Sequence, residues 1–143
     1  MAEVSIYERK GHFWVAPMDG GVVVAPVFAA RAQASELSKA LKHALAAVPA
    51  EPTKWTTLRD YKSPVRLAAK VKSEREFERG LRLCMLSAGD EKHEITRWLP
   101  DPDEKQGFVP DPDWRVELPL GTPLIEVAEV LLKAFSDSSW QVR

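Results

Sequence analysis

At 143 residues the chain has the length of one domain with room for a sizeable core. Its 45% hydrophobic and 29% charged residues are ordinary for a soluble globular protein, and its net charge of −1 gives no global pull toward nucleic acid or an anionic membrane. One cysteine excludes an internal disulfide; with no basic-then-apolar leader in MAEVSIYERKGHFW, and no apolar run near the roughly 18 residues of a bilayer span, the expected compartment is the cytoplasm.

Residues 4–7 and 13–16 read as strands around the turn Arg9-Lys10-Gly11. Asp19-Gly20-Gly21 makes a second turn before a third, very apolar strand at residues 22–28. Pro26 interrupts that strand and puts part of it on an edge or at a bulge. Residues 35–48 form a helix, with Leu37, Leu41, Leu45 and Val48 on one face and alanines of high helix propensity between them. Pro49 and Pro52 stop it. The stretch 51–64 lacks periodicity and reads as a surface loop that Trp55 and Leu58 are placed to pin. Residues 65–71 are compatible with a further strand. Ser73 and Glu76 then make a capping box, in which the Ser side chain accepts from the Glu76 amide and the Glu76 side chain reaches back. Phe77 and Leu81 give this short helix its apolar face, and Gly80 weakens its end.

The centre of the chain is residues 83–120. Residues 83–87 are a short apolar run, 88–92 a polar turn with a glycine, and 94–99 an alternating return strand that Pro100 ends by removing a ladder donor. Trp114, Val116 and Leu118 face one way and Arg115 and Glu117 the other. Thr122-Pro123 supplies an N-cap followed by a proline at the first helical position. Leu124, Val127, Ala128, Leu131 and Phe135 then recur at helical spacing as a stripe facing the sheet. No repeat or linker divides the chain. The expected architecture is a single α+β domain over residues 1–143, mainly an antiparallel sheet packed against two or three helices.

Chemistry-bearing constellations are scarce. His12 lies at a hairpin, His43 on a helix and His93 in a charged turn, and none has a second His or Cys at zinc-site spacing. Cys84 sits in an apolar run as a small core residue. No nucleophile elbow, P-loop or dinucleotide fingerprint occurs, so no catalytic residue, cofactor or metal is assigned. Among the five tryptophans, Trp14 and Trp114 occupy strand positions and read as core. Trp55 and Trp98 border proline-containing loops, where anchoring and partner contact would both do. Trp140 follows the last helix, either exposed or folded back.

Charge is distributed unevenly. Residues 54–82 hold nine basic residues against four acidic, and residues 89–117 nine acidic against four basic. One reading makes these the solvated, partly pairing faces of neighbouring elements. The other concerns the loop PDPDEKQGFVPDPD at residues 100–113, whose prolines reduce the entropy lost on ordering while its carboxylates concentrate negative potential. Such a loop suits a basic protein surface, for instance a nuclease site that holds phosphates. The contact residues would be Asp101, Asp103, Glu104, Asp111 and Asp113, with Trp98 and Phe108 as apolar anchors.

Lys72-Ser73, Phe77-Glu78-Arg79-Gly80, Gly107-Phe108-Val109, Val116-Glu117-Leu118-Pro119 and the final helix together resemble the immunity proteins of bacterial contact-dependent growth inhibition (CDI) systems. The resemblance covers roughly the second half of the chain, with Glu74 where the pattern has an aromatic. It implies a non-enzymatic function: members bind and neutralise the toxic C-terminal domain of a large surface-displayed protein, often a nuclease acting in the cytoplasm. The implied partner is that toxin domain, in a 1:1 heterodimer without direct contact to nucleic acid or membrane. Two other classes stand beside it, a small enzyme with an unrecognised active site and an adaptor that oligomerises through the first meander.

Overall fold

The computed structural model describes residues 2–143. In chain order the elements are β1 (Ala2–Arg9), β2 (His12–Asp19), β3 (Val22–Val23), β4 (Phe28–Ala30), α1 (Ala34–Ala46), α2 (Pro64–Ala68), α3 (Glu74–Glu78), β5 (Arg82–Ala88), β6 (Lys92–Pro100), β7 (Phe108–Pro119) and α4 (Leu124–Phe135). The strands form one seven-stranded sheet in the order β3-β2-β1-β5-β6-β7, with β4 also pairing with β2. Every pairing is antiparallel. The pairing of β1 with β5, which sets Ile6 opposite Cys84, joins the N-terminal meander and the later hairpin into one α+β domain.

Period-two alternation divides the strand residues between two faces. Val4, Ile6, Phe13, Val15, Cys84, Leu86 and Ile95 point to the face that α1 and α4 cover with Leu37, Leu41, Val127, Leu131 and Phe135. Phe13 meets Phe135 edge to face, with ring centres 5.2 Å apart. Trp114, Val116 and Leu118 pack at the margin of this core, while Arg115 and Glu117 are exposed, as their alternation requires. Trp140 folds back, buried, and stacks on Phe135 at 5.0 Å.

The opposite face carries a smaller core of Ala16, Val65, Phe77 and Leu81, covered by the two short helices. Phe77 reaches Tyr7 and Trp14, with ring centres 6.0 and 6.3 Å away. Arg66 ties α2 to α3, donating to the Glu74 carboxylate at 2.8 Å and to the Val71 and Lys72 carbonyls at 3.1 Å. The loop over residues 51–63 is pinned to the β2–β3 turn. The Asp19 carboxylate accepts from the Thr53 amide and hydroxyl, each at 2.6 Å, and Trp55 Nε1 donates to the Asp19 carbonyl at 2.8 Å. Gly20, with φ of +58°, lies under this clamp, where a Cβ would collide with the Thr53 carbonyl. Trp55 thus pins the loop, but Leu58 is 48% exposed. Its part is taken by Tyr61, whose hydroxyl donates to the Val23 carbonyl at 2.6 Å.

Three further expectations are corrected. Residues 65–71 are not a strand: α2 begins there, because Pro64 stands at the first helical position and the Ser63 hydroxyl accepts from the Arg66 amide at 3.3 Å. The apolar run at 22–28 is two short strands, not one. Pro26, in a cis peptide with Ala25, lies in the gap and has no N–H for a ladder. Helix α4 starts one residue late, at Leu124 with Pro123 as its cap, since the Thr122 hydroxyl donates back to the Pro119 carbonyl at 2.6 Å. The Ser73 half of the capping box forms as expected, with Ser73 Oγ accepting from the Glu76 amide at 3.1 Å. Among the described residues no helix is long and apolar enough to cross a membrane.

Candidate functional site

The acidic segment runs from the end of β6 through residues 101–107 into the start of β7. Its shape is set by the last residue of the chain. Arg143 donates through Nη1 to the Gly107 carbonyl at 2.7 Å and to Glu78 Oε1 at 2.8 Å. Through Nη2 it donates to the Asp101 and Glu104 carbonyls at 3.2 and 3.1 Å. Glu78 Oε1 also accepts from the Gly107 amide at 2.7 Å. Arg143 thus engages this loop through its carbonyls and not through its carboxylates. Asp103, Glu104 and Asp113 are exposed and Asp101 is half-buried, with Oδ1 accepting from the Asp103 amide at 2.9 Å. Phe108 is half-buried against the smaller core, with the Arg143 guanidinium 5.7 Å from its ring centre.

Asp111 differs from its neighbours. It is 9% exposed, and its Oδ2 accepts from Arg97 Nη2 at 2.8 Å and Nε at 3.0 Å. The β6–β7 ladder runs from Thr96 opposite Arg115 to Trp98 opposite Pro110, so residues 111–114 form a bulge across from Arg97 alone. Arg97 fills that gap. It also reaches Asp137 Oδ2 at 3.1 Å and lies over the Trp114 and Trp140 rings at 5.6 and 5.2 Å. Burial alone would raise the Asp111 carboxyl. The Asp113 amide and the Arg97 guanidinium outweigh burial and hold it below the usual range. This carboxylate is engaged inside the protein, clasping the C-terminal tail to β7, so the outward acidic set is Asp101, Asp103, Glu104 and Asp113.

Trp98 sits on the smaller-core side of the sheet, in a row with Trp14, Tyr7 and Leu83. It is half-buried, and its Nε1 donates to Thr96 Oγ1 at 3.2 Å. The fold therefore gathers Trp98, Phe108 and four outward carboxylates at one end of the β6–β7 pair. The residues that hold this end together, Arg97, Arg143 and Glu78, were outside the sequence-based set. Arg97 had a signal in falling on the inward side of β6 with Ile95, and Glu78 in lying within the stretch 77–80 of the family resemblance; Arg143 had none.

The other chemistry-bearing residues stay apart. His12 and His43 are exposed beside Trp14 and Phe28, and His93 is half-buried on β6. Cys84 is buried, which pushes its thiol far above the ordinary value despite the nearby Arg97. Among the described residues no three His, Cys, Asp or Glu side chains converge to hold a metal ion.

No protein-family model matches the chain, and no curated protein matches it in sequence. In fold it is similar to a protein of unknown function from Neisseria meningitidis, with a TM-score of 0.69 and 11% identity over 94% of this chain and 93% of that one. It is also similar to a chain of a CdiA-CT/CdiI toxin and immunity complex from Yersinia pseudotuberculosis. There the TM-score is 0.66 and the identity 15%, over 94% of this chain and 95% of that one. The likeness in both cases is one of fold, extending over nearly the whole length.

Proposed function

We propose that this chain is an immunity protein that binds and neutralises the C-terminal toxin domain of a CDI effector. The observation that carries the proposal is the fold it shares, over 94% of its length, with a chain of a toxin and immunity complex. The partner is a protein domain with a basic surface, of the kind a nuclease uses to hold phosphates, and the complex is 1:1 and cytoplasmic. Support for a basic partner comes from the outward carboxylates of Asp101, Asp103, Glu104 and Asp113 on a loop already shaped by Arg143. A preformed loop loses little entropy on binding. The exposed charges accelerate encounter, and Trp98 and Phe108 beside them supply the apolar anchors that dominate interface energy. Asp111 contributes by holding the bulge that presents Asp113, whose amide donates to Asp111 Oδ1 at 3.0 Å.

On this reading the protein acts by occupying the toxin, not by chemistry. A small free fraction of a nuclease is harmful, so the complex must be tight, with a Kd of about 1 nM or below, equivalent to about −12 kcal/mol. The test is coexpression of the tagged chain with the toxin domain encoded beside it. The expected outcome is a 1:1 complex that survives purification and cells that survive toxin induction. A toxin that remains active and elutes separately would overturn the proposal.

A further inference from the structure

Between the acidic loop and the pinned loop at residues 51–63 lies a cleft of about 220 Å³. Tyr7, Tyr61, Phe77 and Phe108 form its aromatic walls, and Glu74 and Glu78 are its carboxylates. The volume is below the ~300–1,000 Å³ of small-molecule pockets, and suits one inserted side chain.

The polar groups select the charge of that side chain. Glu74 accepts from Arg66 through Oε1, and Glu78 accepts from Arg143 and Gly107 through Oε1. No hydrogen bond from the described residues reaches either Oε2. The two internal arginines balance the formal charge but also hold the carboxylates in place, leaving an oxygen of each available as an acceptor. Their field is felt by the walls. Burial first, then Tyr61, Glu74 and Glu78, push the Tyr7 hydroxyl well above its ordinary value, and burial followed by Glu74 raises Tyr61. An incoming carboxylate would be repelled, and an aliphatic side chain would strip water from Glu74 with no compensation. A cation gains from the carboxylates and from the negative ring faces that Arg143, already over Phe108, leaves free.

The cleft is continuous with the acidic loop, since Gly107 and Phe108 border both. Its far wall is held by the hydrogen bond of Tyr61 to Val23. We infer that this cleft seats a single lysine or arginine side chain of the protein partner, adding a cationic anchor beside the outward carboxylates. The inference rests on the reading of the acidic loop as a partner surface.

The probes are N-acetyl-lysine methylamide and N-acetyl-arginine methylamide, with N-acetyl-glutamine methylamide as the neutral control, titrated into the ¹⁵N-labelled full chain. The two cations should shift the amides of Tyr61, Phe77, Gly107 and Phe108 saturably, and the neutral amide should not. Glu74→Gln should weaken the cation response about two- to five-fold, the scale of a half-exposed ion pair. Phe108→Leu should weaken it independently, with the spectrum elsewhere reporting an intact fold. Equal shifts from the neutral amide, shifts confined to Asp103, Glu104 and Asp113, or no shifts at all would each overturn the inference. None of these readouts involves the toxin, so failure of the cleft and failure of the immunity reading are seen in separate experiments.

Discussion

The two faces of the sheet are made from the same alternating strands yet are held by different forces. On one face α1 and α4, of 13 and 12 residues, bury a continuous apolar core. On the other, two helices of five residues each cover four buried side chains, and the remainder is pinned by polar contacts of Asp19, Tyr61, Arg66 and Arg143. Apolar burial is non-directional and scales with the area removed from water, so the first face is committed to stability. Hydrogen bonds to backbone groups fix the shape of loops while leaving their other side chains in water. The second face and its flanking acidic loop are thus free to carry a partner surface without weakening the core.

The contrast can be broken most severely at Leu131, which is fully buried on the helix side. Leu131→Ala should cost about 2–5 kcal/mol in denaturant unfolding, through lost transfer energy plus a cavity. A change near zero would mean that α4 does not anchor the core. Asp111→Asn should come next, at about 1.5–3 kcal/mol, since it removes the charge that satisfies the largely buried Arg97. Asp103→Asn and Glu104→Gln, on the exposed part of the same acidic segment, should stay within about 0.5 kcal/mol. Equal costs at Asp111 and Asp103 would erase the distinction between internal and outward acids.

Acid should sharpen the same distinction. Hydrogen bonds from the Ser139 hydroxyl and amide, then Arg97, hold the Asp137 carboxyl below its ordinary value, and Asp111 is lowered as well. A carboxyl depressed in the folded state stabilises fully above its unfolded value of about 4, and loses that contribution as pH falls through the lower folded value. Melting temperatures followed from about pH 5 to about pH 2 should therefore drop more steeply for the native chain than for Asp111→Asn/Asp137→Asn. Parallel curves would show that the tail clasp does not titrate with folding.

Long amphipathic patterns were legible in the sequence, and short or chain-end contacts were not. The stripes Leu37-Leu41 and Val127-Leu131, and the alternation Trp114-Val116-Leu118, are repeated signals that burial enforces. Helix α2 has five residues, too few for a period, and its β-branched Val65 reads equally well in a strand; only Ser63-Pro64 marked its start. The same kind of signal at Thr122-Pro123 misplaced α4 by a residue, because a hydroxyl can satisfy a turn instead of a cap. Within the acidic segment, Asp111 and Asp113 share a Pro-Asp context that cannot tell an internal ion pair from a solvated carboxylate. The difference arises from a bulge opposite Arg97 and a tail that returns from Asp137. Arg143, which shapes the loop from 36 residues beyond Gly107, leaves no local trace.

The outward carboxylates are the centre of the proposal, and association kinetics with the proposed toxin partner test them most directly. Neutralising Asp101, Asp103, Glu104 and Asp113 together, by Asp→Asn and Glu→Gln, should lower the association rate and flatten its salt dependence while leaving the melting transition in place. Trp98→Ala, measured beside it, should act mainly on dissociation. If the neutralised chain binds with unchanged rate, affinity and salt slope, the acidic loop is a solvated face and the contact surface lies elsewhere.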